Sequence, residues 1–269
     1  MHGWRISDTS DSVVKYSLGE NPFEFTRQRV KGAVFYMPAK GDSSGDTFEV
    51  EETGNGVVTT IVSDARGHGY SANVLHGLIR AKIQSIKHAF VAGRISQLER
   101  AVLELDLDLA NKSEQLALTV SYLDNAGHLR ILNFAENAVL VYNHANNNFI
   151  VNPESDVNVR NCGKLGFLSL LPELDFGHLR YMNRNPVMVV GRRDKLVIAT
   201  DGVYGLDSQG MPESSPSYLY YHIFYSIRYS PKSIVGSINN WAQRNAQKTD
   251  VEKWMRHVDD YTLVVQEFL

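Results

Sequence analysis

The sequence predicts an α+β fold built from antiparallel β-hairpins and paired helices. Three observations predict it. Apolar runs of period two recur, joined by short Gly/Asn-rich turns. Two long stretches of helical period follow one another in the first half. The order is strands, two helices, many strands, two helices, one strand, which is not a repeating βα unit.

Taken in order, residues 1–30 are polar and mixed and read as an N-terminal arm or short strand; the arm is set at 1–33 and the domain at 34–269. Val34 to Met37 reads as a strand, and Pro38 to Gly45 as a loop by composition. Thr47–Val50 and Gly56–Ser63 read as a hairpin turning at Thr53-Gly54-Asn55-Gly56. A long helix carries Leu75, Ile79, Ile83, Ile86 and Phe90 at helical spacing, with Ser71 as its N-cap. A second helix is expected from Ser96, with Glu99 completing a capping box. Leu98, Val102, Leu105 and Leu109 share its apolar face. The stretch 103–109 also alternates like a strand, but the cap pattern and the longer period favour helix.

Residues 116–151 return to a two-residue period. Leu118–Leu123 and His128–Phe134 form one hairpin, Val139–Tyr142 and Asn148–Val151 another. Leu196–Thr200 is a buried strand by its apolar run. Residues 216–228 and 231–246 read as helices, the second opening with Ser230 as cap and Pro231 in the first turn. The last strand follows Asp259. No repeat or long linker divides the 269 residues, which suffice for one large core.

A net charge of −3 gives no electrostatic reason to expect nucleic acid or an anionic membrane as partner. The cluster Arg192-Arg193-Lys195 reads as a solvated turn. One cysteine, Cys162, excludes a disulfide within the chain and a thiolate metal cluster, and suits a reducing compartment. The polar start lacks the apolar core of a signal peptide. No run reaches the roughly 20 apolar residues of a membrane span. The expectation is a soluble, cytoplasmic protein.

Four aspartates carry the chemistry. Asp46 follows a Gly/Ser-rich loop, Asp64 ends the run 57–63, Asp201 ends 196–200, and Asp259 precedes 261–265. Any one alone could be a turn residue bonding its own backbone. Together they are carboxylates at strand ends, three of them beside glycine. Carboxylates that converge repel unless a cation lies between them, and hard divalent cations take oxygen ligands.

Four segments, in order, resemble a known family. Tyr36-Met37-Pro38-Ala39 with Ser44-Gly45-Asp46-Thr47-Phe48-Glu49-Val50 is similar to the Tyr-x-Pro-Ala…Gly-Gly-Asp-Phe-Tyr-Asp segment of the metal-dependent protein phosphatases (PPM, or protein phosphatase 2C), in the bacterial SpoIIE/RsbU branch. Val62-Ser63-Asp64-Ala65-Arg66-Gly67-His68-Gly69 resembles that branch's Gly-Asp-Val-Ser-Gly-His-Gly. Ile198-Ala199-Thr200-Asp201-Gly202-Val203 resembles Tyr-Thr-Asp-Gly-Val, and Asp259-Asp260-Tyr261-Thr262-Leu263 resembles Asp-Asp-x-Thr-Leu.

The resemblance covers about residues 34–268. It implies an α-β-β-α sandwich, two antiparallel sheets flanked by helix pairs, with the pair after Gly69 coupling regulation to metal binding. It implies two Mn²⁺ or Mg²⁺ ions, with Asp64 bridging them, the Ala65 carbonyl as a further ligand, Asp46 and Asp201 completing one side, and Asp259 rather than Asp260 from the last strand. The activity implied is hydrolysis of phosphoserine or phosphothreonine on a small regulator such as an anti-anti-sigma (STAS) protein, under control of a separate activator or the N-terminal arm. A hydroxide bridging the ions would attack, and no phospho-enzyme is needed.

The chain departs from the pattern at Ser44, at Glu49, at Asn133-Phe134-Ala135-Glu136-Asn137 (usually Asn-Ala-Gly-His-Pro) and at Lys164-Leu165-Gly166 (usually Pro-Leu-Gly). The last two leave the carboxylates intact and bear on the substrate side and the partner. His68 and His76 lack the helical i, i+4 spacing of zinc proteases; His68 reads as a turn residue near the site, able to aid the leaving group. Arg66 could steer phosphate or be a solvated loop arginine. Cys162 reads as packing or incidental. Tyr218 to Tyr225 reads as a core helix rather than a base-stacking platform, since no basic stripe accompanies it. The rival class is a non-catalytic module that keeps the fold and docks a partner; calorimetry with Mn²⁺ separates the two. A phosphatase of small phosphates ranks last, for want of a Gly-x-x-x-x-Gly-Lys loop.

Overall fold

The structure, a computed structural model, describes residues 12–14, 22–37, 45–53, 55–65, 70–134, 137–151, 165–166, 188–204, 223–248 and 261–269. Its strands and helices are β1 (Ser12–Val14), β2 (Phe23–Thr26), β3 (Val30–Met37), β4 (Asp46–Glu52), β5 (Val58–Ala65), α1 (Tyr70–Val91), α2 (Ile95–Ala110), β6 (Leu116–Leu123), β7 (His128–Phe134), β8 (Ala138–Asn143), β9 (Asn148–Val151), β10 (Met188–Val189), β11 (Lys195–Ala199), α3 (Asp201–Tyr204), α4 (Pro231–Lys248) and β12 (Tyr261–Phe268). No helix among the described residues is long and apolar enough to cross a membrane.

Among the described residues two six-stranded sheets form, in the orders β1-β4-β5-β6-β7-β10 and β2-β3-β12-β11-β8-β9. Every pairing is antiparallel. The two-residue side-chain period gives each inner strand two apolar faces. Val62, Val141, Ile198 and Val264 point between the sheets. Ile61, Leu118 and Leu132 face α1 and α2 in a second core. Val197, Leu263 and Val265 meet Ile223, Ile234, Val235 and Ile238 in a third. Three apolar layers thus stack the four secondary-structure layers of the α-β-β-α sandwich. Buried Gln266 gives its amide to Thr60 Oγ1 at 2.7 Å, one polar stitch between the sheets.

The described part of residues 1–33 joins both sheets. β1 pairs with β4, β2 pairs with β3, and β3 begins at Val30. Gly32 is needed there because a Cβ would lie 2.3 Å from the Phe25 ring packed over it.

The helix caps differ from the sequence expectation. α1 starts at Tyr70, so Ser71 lies within it. α2 is capped by Arg94 with no side-chain cap hydrogen bond, and Ser96 is a helical residue. The cause is the turn between them. Gly93 (φ 67°) gives its amide to Phe90 O and Arg94 gives its amide to Ala89 O, a Schellman stop. Arg94 therefore ends one helix and starts the next, ahead of any cap at Ser96. The Ser230 cap does form: Ser233 N donates to Ser230 Oγ at 3.3 Å.

Two further expectations change. Lys195 is not solvated; it is 2% exposed and paired with Glu267 Oε2 at 3.1 Å. Of the Tyr218–Tyr225 stretch, Ile223 is buried but Phe224 and Tyr225 are exposed; the remainder lies outside the described residues.

Candidate metal centre

β4 buries every second residue, Asp46, Phe48, Val50 and Glu52. Phe48 and Val50 belong to the core between the sheets, so Asp46 points there too, at the end of the strand. On β5, Val58 and Val62 face the same core, which gives Asp64 the same orientation. In the register of the hairpin Asp46 stands directly opposite Asp64. Directly paired residues have Cβ atoms roughly 5 Å apart. Asp46 is 2% exposed and Asp64 is half-buried. Two carboxylates so placed repel unless a cation or donor compensates them.

One donor comes from the other sheet. Thr200, fully buried at the end of β11, gives its hydroxyl to Asp46 Oδ2 at 2.8 Å. The same hydroxyl accepts the Thr262 amide at 3.0 Å, and Thr200 N donates to Thr262 O at 3.0 Å. Thr200 thereby ties β11 and β12 to β4 at one end of the sandwich. Asp201 is the next residue and opens α3; it is half-buried, with its Oδ1 atom buried. Burial pushes the Tyr261 phenol at the start of β12 well up, so it stays neutral.

Ala65 is buried at the end of β5. Its amide donates to Gly45 O at 3.0 Å. Leu116, opposite it in register, gives its amide to Leu165 O at 3.1 Å, so the Ala65 carbonyl lies where the β5–β6 ladder ends.

The structure thus sets Asp46 against Asp64 and brings Thr200, the residue before Asp201, onto Asp46. Among the described residues no group of three His, Cys, Asp or Glu side chains is close enough to hold a metal. Asp259 and Asp260 lie outside the described residues, as do Arg66, His68, Glu136, Cys162 and Lys164, and the side chain of His76. The donors that are described fit a hard cation: carboxylates and a carbonyl, all oxygen.

The partners of three groups near the site are absent from the sequence reading. Thr200 was visible in Thr-Asp-Gly and has the inward parity of Ile198, yet its partner across the sheets is not legible locally. Glu49, on the outer face of β4, accepts both Gln84 amide bonds (3.3 and 3.2 Å) and Lys87 Nζ at 3.4 Å; Lys87 also pairs with Glu51. Lys87 is 5% exposed, so these contacts clamp α1 onto the strand carrying Asp46. Last, Thr119 Oγ1 donates to Asn133 Oδ1 at 2.7 Å and accepts Asn137 Nδ2 at 3.1 Å, while Asn137 Nδ2 also reaches Val62 O at 3.3 Å. The altered Asn133–Asn137 segment thus has a buried polar knot that supports β5 two residues from Asp64.

No family model matches the sequence, and no curated protein matches it. Solved structures do match in fold. RsbX in complex with magnesium is 13% identical with a TM-score of 0.53, over 92% of this chain and 100% of that one. The SiaA-PP2C domain of Pseudomonas aeruginosa is 15% identical with a TM-score of 0.57, over 88% of this chain and 85% of that one. The PP2C phosphatase domain, with a fragment of the regulatory domain, of the cell fate determinant SpoIIE from Bacillus subtilis is 15% identical with a TM-score of 0.54, over 96% and 71%. The chain has the fold of the PP2C phosphatases, and the structures it resembles include those of the SpoIIE/RsbU type.

Proposed function

We propose that this chain is a metal-dependent protein phosphatase that removes phosphate from phosphoserine or phosphothreonine on a regulatory partner protein. One observation carries the reading: Asp46 faces Asp64 across the hairpin, and Thr200 fixes Asp46 while leading into Asp201. This set sits at the strand ends of a PP2C fold.

The residues that would hold two Mn²⁺ or Mg²⁺ ions are Asp46, Asp64, Asp201 and Asp259, with the carbonyl of Ala65. Such ions, when bound, lower the pKa of water and compensate charge developing on phosphoryl oxygens. The rest is the protein's work. The Thr200 hydroxyl holds Asp46 in one rotamer and offsets part of its charge. The Gly45–Ala65 bond fixes the end of the β4–β5 hairpin. The Lys87–Glu49–Glu51 clamp holds α1 against β4, so a movement of the helix reaches Asp46 through the strand. The partner is proposed to be a STAS-like phosphoprotein in the cytoplasm, with a separate activator.

The test is phosphate release from para-nitrophenyl phosphate and from phosphoserine proteins with added Mn²⁺. Hydrolysis that needs Mn²⁺, and falls roughly 100-fold or more in Asp64→Asn, supports the proposal. No release from any substrate, with Asp64→Asn no different from the parent protein, contradicts it.

A further inference from the structure

The opposite end of the sandwich holds a second charged cleft. It is an open cleft of about 420 Å³, lined by Lys31, Arg192, Arg193, Glu267, Phe268 and Leu269. Lys195 and Thr200 bracket β11, so this cleft lies roughly 16 Å along the strand from the aspartates, at about 3.3 Å per residue.

The turn that presents the two arginines is firmly built. Asp194 is 1% exposed and accepts from Gly191 N at 2.8 Å, His144 N at 2.7 Å and Asn143 Nδ2 at 3.2 Å. Arg193 N donates to Phe268 O at 2.8 Å, and Phe268 N returns a bond to Asp194 O at 2.9 Å. Within this frame Arg193 is held at φ 72°, the left-handed region that non-glycine residues avoid. Asp194 N donates to Gly191 O at 3.2 Å, so Arg193 occupies the third position of a tight turn, where this backbone region is common.

The charge count points to an anion. The carboxylate side chain in the cleft, that of Glu267, is already shared by Lys31 at 2.8 Å and Lys195 at 3.1 Å. Burial pushes Glu267 up, but these two cations together hold it below its ordinary value. Among the described residues no carboxylate pairs with Arg192 or Arg193. Arg192 and Arg193 thus line a cleft whose acidic side chain is already paired with Lys31 and Lys195. Guanidinium forks match phosphate oxygens in pairs, and the volume suits a small ligand rather than a lone ion.

We propose that this cleft binds a small ligand bearing a diphosphate group, gripped by Arg192, Arg193 and Lys31. The test is calorimetry on the full chain stripped of metal with EDTA, using pyrophosphate and ADP as probes at physiological salt. Metal removal keeps the aspartate end silent, so the result is independent of the phosphatase reading. The expected result is saturable binding of at least one probe; the two arms separate a nucleotide from the inorganic anion. Arg192→Gln with Arg193→Asn, asparagine being tolerant of the left-handed region, should weaken binding at least about tenfold with an unchanged melting temperature. Lys31→Gln should weaken it less, because its charge is shared with Glu267. Absence of saturable heat at millimolar probe, undiminished binding in the double variant, or equal affinity for sulfate would overturn the proposal.

Discussion

Thr200 on one sheet donates its hydroxyl to Asp46 on the other, 154 residues away in the chain and 2.8 Å away in space. Thr200→Val keeps the shape but leaves Asp46 Oδ2 and the Thr262 amide without that partner. Loss of a buried bond to a charged group should cost about 1–3 kcal/mol. Thr200→Ser should keep most of the stability. Urea denaturation of both variants checks this; a Thr200→Val protein as stable as the parent would contradict the contribution of the hydroxyl.

Lys87 anchors α1 through Glu49 and Glu51, whose side chains are 15% and 23% exposed. Lys87→Met should destabilise by about 2–4 kcal/mol, because it leaves two partly buried carboxylates side by side on one strand face without their shared cation. A double-mutant cycle with Glu51→Gln should show coupling of about 1–3 kcal/mol. Simple additivity in the cycle would mean that the pair does not act as a clamp.

Acid sensitivity follows from Glu267. Its folded pKa lies below the ordinary 4.5, so the unfolded chain binds its proton more readily than the native one. The stabilisation is present above the unfolded value and is lost as the pH falls through the folded one. The urea midpoint should therefore fall as pH drops below about 4.5, and Glu267→Gln should flatten that part of the curve. A Gln variant with the parent's full acid dependence would rule Glu267 out as a contributor.

Gly166 sits at φ 92°, and a Cβ there would lie 2.2 Å from Glu114 O. Its amide also donates to the fully buried Asp106 at 2.6 Å. Gly166→Ala should cost more than about 2 kcal/mol, from backbone strain and collision together. Thermal unfolding checks this, and a melting temperature within error of the parent would contradict it.

The hairpins were legible because their code is local: alternation from Leu116 to Phe134 needs only the turn at Asp124–Gly127 to set the register. The convergence of Asp46 and Asp64 was legible for the same reason, since one hairpin carries both. The phase of α1 was legible too, from Leu75 to Phe90. What was hidden is non-local. The neighbours of β12, whose Leu263 pairs with Phe35 228 residues earlier and with Ala199 64 residues earlier, depend on which faces pack, and no short window encodes that. Lys195 stands in the sequence beside the exposed Arg192 and Arg193, whereas strand parity and Glu267 take it inside. Ser96 looked like a cap because the Gly93 stop belongs to the helix before it.

The most direct test of the central claim is a crystal structure soaked in Mn²⁺, with anomalous scattering recorded at the manganese edge. Peaks in contact with the Asp46 and Asp64 carboxylates and the Ala65 carbonyl are predicted. Density at saturating Mn²⁺ that shows those groups without metal, or places the ions on another face, would contradict the account.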